Sequence, residues 1–154
     1  MRLTSYTDYA LRVLMYLAVR PGRSARIAEI AGAYAISEAH LTKVVHHLAQ
    51  TGDVASTRGR GGGLKLGRPA SEINLGAVVR RIEPDLAIVE CFRAANACVV
   101  SPACTLRGVL GEALAAFLAV LDKYTLADLV EPRQADLGAL LGLDRPRESA
   151  LPPG

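Results

Sequence analysis

Ser24–Arg68 reads SARIAEIAGAYAISEAHLTKVVHHLAQTGDVASTRGRGGGLKLGR, and this stretch decides the fold. Two short helical patterns flank a tight turn. Ser24 is expected to cap the first, Ala25 to about Tyr34, with Ile27, Ile30 and Ala31 facing inward. Ser37 is expected to cap the second, which runs to Gln50 with Leu41, Val44, Val45 and Leu48 on its buried side and ends at Thr51-Gly52. The pair reads as a helix-turn-helix whose second helix enters a DNA groove. Two β-prone runs follow directly, Val54–Thr57 and Leu64–Leu66, around the glycine-rich tip Arg58–Gly63. A hairpin in that position is a wing. From Val54 to Arg68 there are four basic residues and no acidic one.

Upstream, residues 4–19 predict a helix with Tyr6, Tyr9, Ala10, Val13, Leu14 and Leu17 on one face, stopped by Pro21-Gly22. Downstream, Asn74 caps a fourth helix that stops at Pro84. A cysteine loop spans about Asp85 to Ala103. Ser101-Pro102 then opens a long helix, with Cys104 expected in its first turn. Leu106, Leu110, Ala113, Phe117, Val120 and Tyr124 recur at alternating intervals of four and three, an a/d stripe that reads as a dimerisation helix. Past Glu131, prolines 132, 146, 152 and 153 predict a mostly flexible tail, apart from a short helix near Ala135–Leu143. The expected fold is mainly α with a small β-hairpin wing. Its parts are a winged helix-turn-helix domain (1–83), the cysteine loop with the dimerisation helix (84–131) and a mostly flexible tail (132–154).

The bulk composition agrees. In 154 residues, 51% are hydrophobic, only 5% are aromatic and Trp is absent, so the core is aliphatic and favours helices. Net charge is a modest +3, so its concentration in the wing matters more than its sum. The apolar run Ala10–Val19 is broken by Arg12 and is too short to span a bilayer, which predicts a cytoplasmic protein with no membrane partner. Paired catalytic carboxylates are not evident, and the glycine run lacks the G-x-x-x-x-G-K-[ST] phosphate loop, so an enzyme is not expected.

Double-stranded DNA is the expected partner. Ser37, Glu38, His40, Thr42 and Lys43 lie at or near the outward N-terminal part of the second helix-turn-helix helix, the part that meets base edges. Arg58, Arg60 and Lys65, with Arg68 behind them, supply positive charge for phosphates or a minor groove, on a tip thin enough to approach them.

Cys91, Cys98 and Cys104 form C-x6-C-x5-C within fourteen residues. An odd number of cysteines in a reducing compartment is not a disulfide framework. Thiolates are soft ligands that suit an iron–sulfur cluster or zinc. Three are one short of the usual four. Glu90 and Asp8 are candidate carboxylates, and an open position is the alternative. The histidines, His40, His46 and His47, all lie on the DNA-reading helix. A redox or metal-carrier protein is the competing class of reading, and it predicts no salt-dependent, sequence-specific retention of DNA.

Four separated motifs, the opening MRLTSYTDYALR, the wing RGRGGGLKLGRPAS, the three-cysteine loop and the ending YTLADLV, resemble the NsrR branch of the iron–sulfur winged-helix regulators over about residues 1–131. The resemblance implies a homodimeric repressor of a palindromic operator. It implies a cluster that nitric oxide attacks, releasing repression of nitrosative-stress genes. It also implies that Cys91, Cys98 and Cys104 are the cluster thiolates, and that Asp8, donated by the partner subunit, is the fourth ligand, with Arg12 one turn on to orient it. The related IscR branch carries a histidine three residues after its third cysteine, where this chain has Arg107. That favours [4Fe–4S] over a histidine-ligated [2Fe–2S] cluster. The first cysteine gap, six residues, is longer than the four or five of its relatives. The alternative within the family is a sensor of iron–sulfur status or redox state.

Overall fold

The computed structural model describes residues 2–57, 59 and 62–143. Its helices are α1 (Ser5–Val19), α2 (Ile27–Tyr34), α3 (Glu38–Gln50), α4 (Leu75–Ile82), α5 (Thr105–Leu121), α6 (Leu126–Val130) and α7 (Gln134–Leu140). Strands β1 (Val54–Thr57) and β2 (Gly63–Leu66) pair antiparallel with Val54 opposite Leu66 and Thr57 opposite Gly63. The order helix-turn-helix, hairpin, helix is a winged helix.

Periodicity places the core. Leu41, Val44, Val45 and Leu48 of α3 are buried against Ala10, Val13, Leu14 and Leu17 of α1, the faces their spacing predicts. Thr4 caps α1 by accepting from the Thr7 amide, and Asn74 caps α4 by accepting from the Ala77 amide. The α2–α3 turn is made by Ala35 in the left-handed region at φ 53°.

Three boundaries differ from expectation. First, α2 starts at Ile27, because the Ala25 backbone is taken by the wing: Ala25 and Leu64 exchange hydrogen bonds of 2.9 and 2.7 Å. The wing is thereby stitched to the entrance of the helix-turn-helix. Second, α5 starts at Thr105. Ser101–Ala103 is a separate 3-10 turn, and Cys104, at ψ 105°, is the N-cap residue rather than part of the first turn. Third, α6 was not foreseen, although Leu126 and Val130 are fully buried. The short helix expected near Ala135–Leu143 is present as α7. The tail expected to be flexible beyond Leu143 lies outside the described residues.

Two carboxylates brace this frame. Asp53, with no solvent exposure, sits at the junction of α3 and β1. Its oxygens pair with Arg68 at 3.1 Å and Arg81 at 2.7 Å, and Thr51 Oγ1 donates to it at 2.8 Å. The wing's exit and α4 are thus both tied to the end of α3. Nearby, Gly67 passes so close to the Gly52 carbonyl that an added Cβ would collide with backbone. Asp122, after α5, takes two bonds from Arg80 of α4, at 2.6 and 2.7 Å, while Asn74 Nδ2 donates to the Asp122 carbonyl at 2.8 Å. Gly76 leaves the space that the Asp122 side chain fills.

Removing the buried carboxylate strands two guanidinium groups that still reach solvent, so Asp53→Ala should cost about 2–3 kcal/mol, measured by urea denaturation. The Arg80 hydrogen bonds hold the Asp122 carboxyl below its usual range. Its folded pKa is depressed, so its contribution is present above the unfolded pKa and is lost as pH falls through the folded one. Asp122→Asn should therefore flatten that acid limb in a plot of stability against pH.

Candidate DNA-binding surface and cysteine loop

The outward side of α3 carries Glu38, Ala39, His40, Thr42 and Lys43, all exposed, with exposed Ser37 at the N-cap. The Ser37 hydroxyl makes no capping bond; its carbonyl takes the His40 and Leu41 amides instead. Thr42 Oγ1 donates back to the Glu38 carbonyl at 2.8 Å, which leaves its methyl and its lone pairs for a base edge. Glu38 can only accept from a base, whereas the Lys43 ammonium can only donate. α1 backs this helix with tyrosines. Tyr6 Oη donates to the Lys43 carbonyl at 3.0 Å, and the Tyr9 and His40 rings lie 6.5 Å apart. These tyrosine contacts were not foreseen; the helical spacing of Tyr6 and Tyr9 only marked the buried face.

The wing divides its basic residues between two jobs. Lys65 is exposed on β2. Arg68 is not available to DNA in the same way: its Nη2 donates to the Thr51 carbonyl at 2.8 Å and pairs with Asp53. The Arg58 and Arg60 assignments fall outside the described residues.

The cysteine loop is built from short turns held by side chains. Glu90–Phe92 and Ser101–Ala103 are single 3-10 turns. Asp85 accepts from the Ala87 amide and pairs with Arg93 at 3.1 Å. Glu90 Oε1 accepts from the Ala97 amide at 3.0 Å, so this candidate ligand closes the loop on itself. Asn96 spans Cys98 and Ser101, accepting from the Cys98 amide and donating to Ser101 Oγ. Cys91, Cys98 and Cys104 are free and half-buried. Among the described residues no three His, Cys, Asp or Glu side chains converge as a metal would require. The donor chemistry nonetheless fits a soft metal or cluster: three free thiols on one loop, with Cys104 at the N-cap of α5.

Asp8 is placed on α1, half-exposed, with Arg12 Nη2 at 2.9 Å from its carboxylate. Arg12 in turn lies over the Tyr34 ring at 5.7 Å. Burial pushes the Tyr34 phenol up, and the Arg12 charge opposes that shift. Missed altogether was Glu83, a buried carboxylate just before Pro84. It accepts from Thr7 Oγ1 at 2.5 Å and from the Thr4 amide and hydroxyl at 3.1 Å, pinning the start of the cysteine loop to the N-terminus of α1. An acid directly after an apolar helix face, Val78-Val79-Ile82, was the available signal.

The fold and its exposed recognition helix define a DNA-binding winged-helix regulator. Residues 3–132 match the Rrf2 family, described as iron-dependent transcriptional regulators. The chain is 57% identical over 136 residues to the HTH-type transcriptional regulator NsrR of Bacillus subtilis strain 168, covering 87% of this chain and 93% of that protein. It is 52% identical over 143 residues to the NsrR of Geobacillus kaustophilus, covering 92% and 97%. Among solved structures, CymR, the global cysteine regulator of B. subtilis, superposes with a TM-score of 0.69 at 26% identity, covering 86% and 98%. T. potens IscR shares the fold with a TM-score of 0.71 at 22% identity, covering 100% of this chain and 94% of that one. The chain belongs to the Rrf2 family of iron-dependent transcriptional regulators, in its NsrR type. It is a regulator of transcription, not an enzyme, and among the described residues no helix is long and apolar enough to cross a membrane.

The two wing cations should separate experimentally. Lys65→Ala should weaken binding across DNA sequences and lower the slope of log affinity against log salt by about one. Arg68→Ala should lower the melting temperature instead, with the salt slope unchanged.

Proposed function

We propose that the chain is a homodimeric repressor that binds a palindromic operator through α3 and the wing and senses nitric oxide through an iron–sulfur cluster. The observation that carries this reading is the union of three free thiols with α5, a helix in which none of the seventeen residues is buried. Leu106, Val109 and Val120 are each more than half exposed, and Tyr124 just beyond is 47% exposed. An isolated helix this apolar needs a partner surface, and a second α5 supplies the same stripe by two-fold symmetry. Two copies of α3 then address half-sites one helical turn apart.

Cys91, Cys98 and Cys104 would hold the cluster, and the partner's Asp8 would complete it. When bound, a [4Fe–4S] cluster supplies iron reactive toward nitric oxide, with [2Fe–2S] the alternative. This chain's own residues provide the coupling. Arg12 orients the Asp8 carboxylate. α1, which carries Asp8, also carries Tyr6, bonded to the backbone of α3. Glu83 ties the near end of the loop to the same α1. A change in the hold on Asp8 therefore reaches the reading helix through one rigid element. Regulation follows from the difference in DNA affinity between the two states, with derepression of nitrosative-stress genes as the result.

The test is anaerobic purification with an absorbance spectrum and iron and sulfide counts, then titration with nitric oxide while operator binding is followed. Cys98→Ser should abolish the cluster spectrum. Asp8→Ala should retain a less stable cluster and lose the nitric-oxide sensitivity of DNA binding; wild-type sensitivity in that variant would refute the tether. A colourless, zinc-binding protein indifferent to nitric oxide would overturn the sensing role. Release from DNA on oxidation or iron depletion, but not with nitric oxide, would select the status-sensing alternative.

A further inference from the structure

A cleft of about 580 Å³ lies between the C-terminal end of α1, the stretch leaving the wing, and α6. That volume falls inside the range of about 300–1,000 Å³ usual for small-molecule sites. Lys65, exposed on the wing, borders it, and Cys91, Cys98, Cys104 and Asp8 do not. Leu17, Leu66 and Val130 give it an apolar lining, while Arg20, Arg23 and Lys65 add positive charge against the single carboxylate of Glu131. Arg68 also borders it, already engaged by Asp53 and the Thr51 carbonyl. Arg20 Nε is buried and, among the described residues, has no hydrogen-bond partner. Nε itself is closed off from the cleft, and it is the rest of the half-buried Arg20 side chain that borders it.

We propose that this cleft binds a small organic anion, a carboxylate on a compact apolar skeleton, with Arg20 receiving the carboxylate. The guanidinium fork matches a carboxylate in two parallel bonds. The negative end of the α1 dipole, which would oppose an anion, is already offset: Gln134 Nε2 donates to the Val19 carbonyl at 3.0 Å and the Arg20 amide to the Leu17 carbonyl at 3.3 Å. The skeleton packs on Leu17 and Val130. The site touches both the wing's exit and α6, so an occupant bridges the DNA-contacting hairpin and the body of the domain. This input is separate from the cysteine loop.

Amide NMR of the isotope-labelled full chain tests the site with benzoate, benzamide and inorganic phosphate as probes. Benzoate should shift the amides of Gly22, Arg23, Gly67, Ala70 and Ala127 saturably, and uncharged benzamide should not. Arg20→Gln should weaken benzoate about tenfold with the rest of the spectrum unchanged. Arg23→Gln, on the α1–α2 turn, should weaken it less, and it carries the test if Arg20→Gln disturbs the fold. Four results would each overturn the proposal: no response at these amides; equal responses to benzoate and benzamide; saturation by phosphate as tight as by benzoate, which would mean a bare anion subsite; or an Arg20-dependent response to a non-operator duplex, which would reassign the cleft to the DNA backbone. Each reading is independent of cluster loading.

Discussion

A carboxylate sealed from water sets the relation between the DNA-contacting parts. Asp53 lies where α3 ends and the wing begins, with Arg68 and Arg81 both paired to it. One arginine comes from the wing's exit and the other from α4. The ion pairs therefore fix register between three elements, together with the Gly67 amide on the Asp53 carbonyl and Arg68 Nη2 on the Thr51 carbonyl. The Ala25–Leu64 exchange closes the same hairpin from the opposite side. The reading helix and the wing are consequently presented as one surface.

The cysteine loop and α5 join this surface through two polar joints of different character. At the loop's start, Glu83 is buried among Thr4 and Thr7, a short and dry connection to α1. At the far end of α5, Asp122 is bound by Arg80 and Asn74 in a wet, exposed position. The Asn74–Thr125 bridge and the Leu126–Ile73 hydrogen bond extend that second joint into the core beneath α6. α1 is the element both the loop and α3 rest on, which makes it the natural carrier of any change between them.

Legibility in the sequence followed range. Features set by neighbours a turn away were readable: the α1 and α3 faces, the Asn74 cap, the two strands of the hairpin, the cysteine spacing and the apolar stripe of α5. Features set across the chain were not. Glu83 reaches residues 76 and 79 positions away, and Asp53 reaches Arg81 across 28. Glu83 is marked locally only by the apolar helix face before it, and Asp53 carries no such mark. Arg68 was indistinguishable from Lys65 by type and only the fold separates them. α6 was too short, at five residues, to show a period, though its Leu126 is wholly buried. Cys104 moved from helix to cap because Ser101-Pro102 starts a 3-10 turn that closes before α5 begins.

α5 also has a mechanical consequence. Seventeen residues at a rise of about 1.5 Å each make a rod of about 25 Å. Cys104 stands at one end, and the Arg80–Asp122 fulcrum stands at the other. Displacing the thiol end by about 2 Å swings the rod by only about 5° at that rise. The arrangement is a reducing gear: sizeable rearrangement around the thiols arrives at the fulcrum as a slight rotation, directed at α4 rather than spread through the core.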